Sequence, residues 1–299
     1  MLTVDLHRAR IGPGRRVLDL GCGAGRHAFA CAKAGADVVA LDADPEEVAG
    51  VAALLAAMRE AGEVPAATAT AALVGDAARL PFPDGSFDRV VAAEVLEHLV
   101  EDEVVVAELA RVLAPGGLLA VSVPRAWPEL VNWALSRQYH EVDGGHVRIY
   151  RRSQLRGRLE RAGLRLVRSH HAHALHSPYW WLRCLVGVGR DDHPLVAAYH
   201  RFLVWDIVRR PRAVRLLERL LDPVIGKSLV LYLEKPADGG AAPAEARARG
   251  GPDGRVVLPA RSRAAGDGSG VDGDGVPCEK AVDGAVGPGT VAAVTRGAS

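Results

Sequence analysis

The sequence predicts an α/β protein built on a doubly wound, mostly parallel, seven-stranded sheet with a helical cap inserted between the last two strands. Three observations carry this expectation. Short apolar runs alternate with helical patterns through the first half of the chain, the signature of a sheet covered on both faces. The run Arg16-Val17-Leu18-Asp19-Leu20-Gly21-Cys22-Gly23-Ala24-Gly25 reads as an apolar strand ending in a glycine loop where a helix begins. Leu118 to Val123 is unbroken and apolar, as a central strand must be.

The elements follow in order. A strand over 16–21 leads through the glycine loop to a helix over 24–34, then a strand over 37–41. A helix over 45–61 has Asp44 as its cap and Pro45 at its first position. Strands near 70–75 and 87–93 are separated by the turn Pro81-Phe82-Pro83-Asp84-Gly85. A helix over 101–114 ends at Pro115-Gly116-Gly117, ahead of the strand Leu118 to Val123. After Pro124 the rhythm breaks. Arg125 to Tyr150 is aromatic, contains glycine and has no clear period, so it is expected to be a long loop over the sheet. A helix over 152–162 closed by Gly163, a strand over 164–171 and a last strand from Lys227 to Glu234 complete the sheet. Between those strands, Leu195, Val196, Tyr199, Phe202, Leu203 and Ile207 recur at helical spacing. The expected organisation is therefore a core over 1–124, a cap loop over 125–150, the rest of the core over 151–173 and 227–235, and an inserted helical cap over 174–226. From 236 to 299 the chain has no Phe, Trp or Tyr, one Leu and 14 of the 33 glycines, too little apolar surface to offset chain entropy, so a disordered tail is expected there.

Composition excludes several classes. Hydrophobic residues make up 49% of the 299, enough for a large core, and a net charge of +1 provides no field for a polyanion. Cys22, Cys31, Cys184 and Cys278 have no C-x-x-C spacing, which argues against a zinc knuckle or redox pair. With no charged-then-apolar leader and no run of 18 apolar residues, the expectation is a cytoplasmic protein without a membrane span.

The chemistry centres on the glycine loop. Gly21, Gly23 and Gly25 remove side chains where a ligand must lie against the backbone, and the helix that follows points free N–H groups into the same space. A dinucleotide fingerprint requires G-x-G-x-x-G, but the sixth position here is Arg26 and the spacing is G-x-G-x-G. Val38 to Asp42 ends the second strand on a carboxylate able to accept both hydroxyls of a ribose, a feature dinucleotide enzymes share. Further motifs discriminate: Gly75-Asp76-Ala77, then LPFPDGSFDRVV, EVLEHL and ELARVLAPGGLLAVSVP. With the loop and Asp19, this ordered set over residues 16–124 resembles the class I S-adenosylmethionine-dependent methyltransferases, within the small-molecule group that includes quinone- and biotin-pathway enzymes. The resemblance implies a Rossmann-like fold and S-adenosylmethionine as cofactor. It also implies that Asp19 and Gly21 hold the methionine amino group, Gly23 and Gly25 line the cofactor, and Asp42, with Ala43 beside it, takes the ribose diol. Asp76 and Ala77 would face the adenine, and Ala93 and Glu94 would close over the sulfonium.

Methyl transfer to a hydroxyl needs a group to take its proton. His146, in GGHVRIY, and His98, in EVLEHL, are the catalytic candidates; a backbone-bonded loop histidine and helix-start packing are their plain alternatives. His140, Tyr150, His173, Trp180 and Trp181 are the candidate substrate-side residues. Ten of the 14 aromatic residues lie from Trp127 to Trp205, so the aromatic surface belongs to the cap, either as its own core or as a pocket wall. In the run His170 to His176, His171 and His173 would share a strand face, but no acid or cysteine stands nearby in sequence, and no metal site is assigned. SPYWWLRCLVG also suits a membrane surface, without spanning it. The expected acceptor is a small or medium-sized apolar metabolite of the prenylated, quinone-like or glycolipid kind, with no nucleic-acid partner. An NAD(P)-dependent oxidoreductase and a non-catalytic binding scaffold are the alternatives.

Overall fold

The computed structural model describes residues 2–139 and 145–237. The expected tail and the candidate His140 lie outside those residues, apart from the first two of the tail, Pro236 and Ala237. The first half alternates as expected: β1 (Arg16–Leu20), α1 (Arg26–Lys33), β2 (Asp37–Asp42), α2 (Pro45–Glu60), β3 (Thr70–Val74), β4 (Phe87–Ala93), α3 (Asp102–Val112) and β5 (Leu113–Pro124). Asp44 caps α2 by accepting from the Glu46 N–H at 2.8 Å, with Pro45 at the first position as its fixed φ favours. The second half comprises α4 (Ala126–Leu135), α5 (Arg152–Arg161), β6 (Arg165–Ala172), α6 (His176–Val186), α7 (Pro194–Arg209), α8 (Arg212–Ile225) and β7 (Ser228–Glu234).

The seven strands form one sheet in the order β3-β2-β1-β4-β5-β7-β6, parallel except for β7, which runs antiparallel to both neighbours. The order reverses between β1 and β4, which places a crevice outside their carboxyl ends. Two apolar layers cover the sheet. One gathers Leu18, Phe87, Leu109, Leu119, Leu155 and Leu231; the other gathers Val17, Cys31, Val38, Leu55, Val91 and Tyr232. The segment ahead of β1 crosses the second layer, tied by the Asp5 N–H to Tyr232 Oη at 2.9 Å and by the Val4 N–H to His27 Nε2 at 3.3 Å.

Two expectations need correction. Pro115-Gly116-Gly117 does not separate α3 from β5 but lies inside the strand. Gly116 N–H donates to Lys235 O and Lys235 N–H to Gly117 O, so the chain just after β7 extends the ladder and draws the glycines into it. Arg125 to Tyr150 is not wholly a loop, because it contains α4 and a short 3-10 turn, Arg137–Tyr139. The period was hidden because α4 is inverted: it buries Glu129 and Asn132 and turns Trp127 and Leu130 outward. The interval between β6 and β7 holds α6, α7 and α8, which pack on a small core of their own around Leu175, Tyr179, Trp180, Val196 and Leu203.

Candidate functional site

The turn after β1 is held open by the backbone. Gly21 N–H donates to Leu41 O at 2.8 Å, and Gly21, Gly23 and Gly25 all have positive φ, at 64°, 46° and 77°. The two inner glycines differ in what surrounds them. A Cβ on Gly21 would stand 2.5 Å from Val95 Cγ2, whereas one on Gly23 would meet no heavy atom within 4 Å. Gly21 therefore lets the loop pack on the chain after β4, and Gly23 presents bare backbone to open space.

Two carboxylates frame that opening. Asp19 is 1% exposed and accepts from the Ala28 N–H at 2.8 Å, satisfying a free donor in the first turn of α1 that the loop leaves uncapped. Burial pushes its pKa up to about 7, against the opposing pull of the Ala28 hydrogen bond and Arg26. Asp42 accepts from the Gly23 N–H at 2.8 Å through Oδ2 and from the Asp44 N–H at 3.1 Å through Oδ1. Each oxygen keeps a lone pair for a further donor such as a ribose hydroxyl. Asp76 is exposed and accepts from the Ala78 N–H, with Ala77 half-buried beside it; Ala43 is exposed. Ala93 ends β4, and Glu94 follows with φ 59° and Oε1 accepting from Ser122 Oγ at 2.8 Å. A cradle without Cβ atoms, a buried acid and a second acid at the neighbouring strand end fit a cationic adenosyl cofactor: the acids suit its ammonium and sugar, and the open glycine face gives it room.

A second polar centre lies beyond β4 and β5. Glu129 of α4 is 2% exposed and accepts hydrogen bonds from Asn132 Nδ2, Trp133 Nε1 and Tyr139 Oη, while its Oε1 lies 2.6 Å from His146 Nδ1. Burial alone would raise its pKa, but the His146 hydrogen bond and charge hold it below the ordinary value. An ionised Glu129 requires the proton on His146 Nδ1, which leaves Nε2 as the basic atom. The His98 ring lies edge-on to His146 with centroids 4.9 Å apart, so the structure brings together the two histidines that stand 48 positions apart in sequence. Glu97, next to His98, is 1% exposed with neither oxygen partnered; burial and Glu94 push its pKa well up. Ligand atoms of Glu97, His98 and His146 lie within 4.8 Å of one another.

Aromatic rings border this centre. Trp180 is edge-on to Tyr139 at 5.5 Å, with Lys227 Nζ 5.8 Å from its ring, and Trp181 donates to Pro128 O and tilts against Trp127. Tyr150 is engaged elsewhere: its hydroxyl is held by Asp102, which also pairs with Arg148 and Arg158. His173 lies beyond the end of β6 with φ 65° and Nε2 3.1 Å from Thr3 Oγ1. Sequence reading passed over Glu129 and Lys227, whose charge reaches both Glu97 and Glu129. A lone acid in the aromatic helix AWPELVNWAL was the available signal for the first; the second, one basic residue before a strand, has none.

Comparison with known proteins bears on the family and the fold. Residues 18–121 match the family described as "Methyltransferase domain". The chain is 42% identical over 133 residues to a demethylmenaquinone methyltransferase of Parafrankia sp. (strain EAN1pec), a match covering 40% of this chain and 50% of that protein. It is 33% identical over 175 residues to an uncharacterized methyltransferase of Synechocystis sp., covering 56% of this chain and 74% of that one. The chain thus spans half the length of the first relative and about three quarters of the second. Among solved structures, a putative methyltransferase from Bacillus halodurans C-125 superposes with a TM-score of 0.53 at 22% identity, covering 77% of this chain and 96% of that one, a likeness of fold.

Proposed function

This chain belongs to the class I S-adenosylmethionine-dependent methyltransferases, and from that premise we propose that it methylates a small or medium-sized apolar acceptor, of the prenylated, quinone-like or glycolipid kind, at a membrane surface. Bound S-adenosylmethionine supplies an activated methyl group; the residues of this chain bind it, align the acceptor and exclude water. Asp19 and Gly21 hold the amino end, Gly23 and Gly25 form the floor, Asp42 with Ala43 beside it takes the ribose diol, Asp76 and Ala77 face the adenine, and Ala93 and Glu94 border the reacting side. His146 takes the acceptor's proton at Nε2, with its ring set by Glu129 and His98 beside it. Tyr139, Trp180 and Trp181 give the acceptor an apolar wall, and α6 to α8 cap it. The observation that carries the catalytic reading is the pairing of His146 with buried Glu129 at 2.6 Å on the carboxyl-end side of the sheet.

The relative named as a demethylmenaquinone methyltransferase supports an apolar acceptor, and the exposed faces of α7 and α8 support the membrane. Trp205, Val208, Leu216, Leu220 and Val224 are exposed there, Val208 at 71%. Arg201, Arg209, Arg210, Arg212 and Arg219 are exposed among them, while the acids Asp206 and Glu218 are buried. Apolar side chains interleaved with arginine suit an anionic bilayer surface. No helix among the described residues is long and apolar enough to cross a membrane. The dinucleotide alternative loses its support to the family match.

Sedimentation with phosphatidylglycerol vesicles, and with phosphatidylcholine vesicles for comparison, tests the surface. Binding to the anionic vesicles only is expected, and Arg209→Glu with Arg212→Glu should weaken it by at least about 2 kcal/mol, at about 1 kcal/mol per basic residue. Methyl transfer from labelled cofactor into an extracted lipid fraction tests the acceptor; label confined to water-soluble products overturns the apolar assignment. Cofactor binding without transfer into any fraction favours the scaffold.

A further inference from the structure

We propose that His173, His176 and Glu218 form a binding site for a divalent transition-metal ion of the zinc class, tying α8 to the junction of β6 and α6. The three residues come from separate pieces of chain. His173 turns the backbone through a left-handed conformation just past β6, His176 opens α6, and Glu218 arrives from α8. Their ligand atoms lie within 4.8 Å of one another. Tetrahedral zinc with bonds of about 2.1 Å sets neighbouring ligands about 3.4 Å apart, a closure that side-chain rotation supplies.

Two of the residues carry a buried atom without a partner. His176 Nδ1 and Glu218 Oε1 are buried and make no hydrogen bond, and the Glu218 side chain is only 8% exposed. Buried polar atoms are almost always paired, so an orphan on each of two residues of one cluster points to a missing cation. Around them the arrangement is that of a supported ligand set. Arg215 Nη1 lies 3.2 Å from Glu218 Oε2, leaving Oε1 for an ion, and Thr3 Oγ1 is placed to orient the His173 ring. Asp206 and Asp222 add negative charge beside Glu218, against the positive charge that Lys227 and Arg26 direct at the histidines. Burial, with that positive charge, keeps both imidazoles neutral and their lone pairs free. Two imidazoles and one carboxylate form a borderline donor set that suits zinc, cobalt or iron(II) over magnesium or calcium. Sequence reading left the histidine run without an acid, and the fold supplies it from a distant helix. The inference is independent of the methyl-transfer reading.

The test titrates the full-length chain, stripped with chelator and dialysed, with Co2+ followed by its visible absorption and with Zn2+ by calorimetry. One tight equivalent is expected. Glu218→Gln and His176→Ala should each weaken it by more than about 100-fold, since loss of even an outer partner costs about 10–100-fold. The double variant His98→Asn with His146→Asn should bind as the parent does, which separates this site from the cluster near Glu97. Zn2+ should raise the melting temperature of the parent but not of Glu218→Gln, with retained binding of S-adenosylhomocysteine proving that variant folded. Absence of binding by the parent, binding retained in both single variants, or loss in the His98/His146 variant alone overturns the proposal.

Discussion

Alanine at Gly21 and at Gly23 should do opposite things. Both positions have positive φ, so either substitution costs about 1–2 kcal/mol of backbone strain. At Gly21 the new methyl would also stand 2.5 Å from Val95 Cγ2 and 3.3 Å from Cγ1, on a side chain 3% exposed and unable to retreat. Overpacking of that kind costs about 1–3 kcal/mol, so Gly21→Ala should lose about 2–5 kcal/mol in all. For a domain of this size that is about 4–20 °C in melting temperature. At Gly23 the methyl enters open space, so stability should fall only by the strain of about 1–2 kcal/mol. What the methyl does occupy is the face proposed for the cofactor, so affinity for S-adenosylhomocysteine should fall by a further about 1–3 kcal/mol. Urea unfolding and isothermal titration of the two variants separate the effects. If Gly23→Ala binds the ligand like the parent, that face does not receive the cofactor; if the two variants unfold alike, the Val95 contact does not constrain the loop.

Other consequences follow from the same groups. Asp42→Ala should weaken cofactor binding by about 1–3 kcal/mol, the loss of hydrogen bonds to a charged group, measured by titration. Asp19 has a pKa raised to about 7, so the folded state keeps a proton that the unfolded chain has released above its own value of 3.8. Stability should therefore fall as pH rises from about 4 to 7, by up to about 4 kcal/mol, and Asp19→Asn should flatten that slope in chemical denaturation. A cationic ligand beside Asp19 favours its ionised form, so binding should release protons near pH 6 and tighten toward pH 8, visible as a buffer-dependent heat. Glu129→Gln removes the charge that sets the His146 tautomer and should lower turnover by about 100-fold or more while cofactor affinity holds. Turnover unchanged in that variant would remove His146 from the proton-transfer role.

The glycine loop, its flanking strand and helix, and the acids at 19 and 42 were legible because each is local. Close backbone approach permits only glycine, Asp19 lies in the strand that feeds the loop, and Asp42 ends the next strand, which pairs in parallel beside it. Helix α4 was illegible for a specific reason: periodicity reading assumes an apolar buried face, and α4 buries Glu129 and Asn132 against a polar centre. His98 and His146 were legible as residue types, but Glu129 became their partner only through folding.

Taken alone, the sequence determined the alternating layers, the cradle and the family, because these follow from short-range pattern and from residues whose chemistry their neighbours in the chain already define. Only the tertiary structure decided which distant acids answer the histidines: Glu129 for His146, and Glu218 for His173 and His176. Those pairings join segments whose spacing in sequence carries no signal: Glu129 comes from α4 and His146 from the chain ahead of α5, while Glu218 comes from α8, which packs on β6 far along the chain.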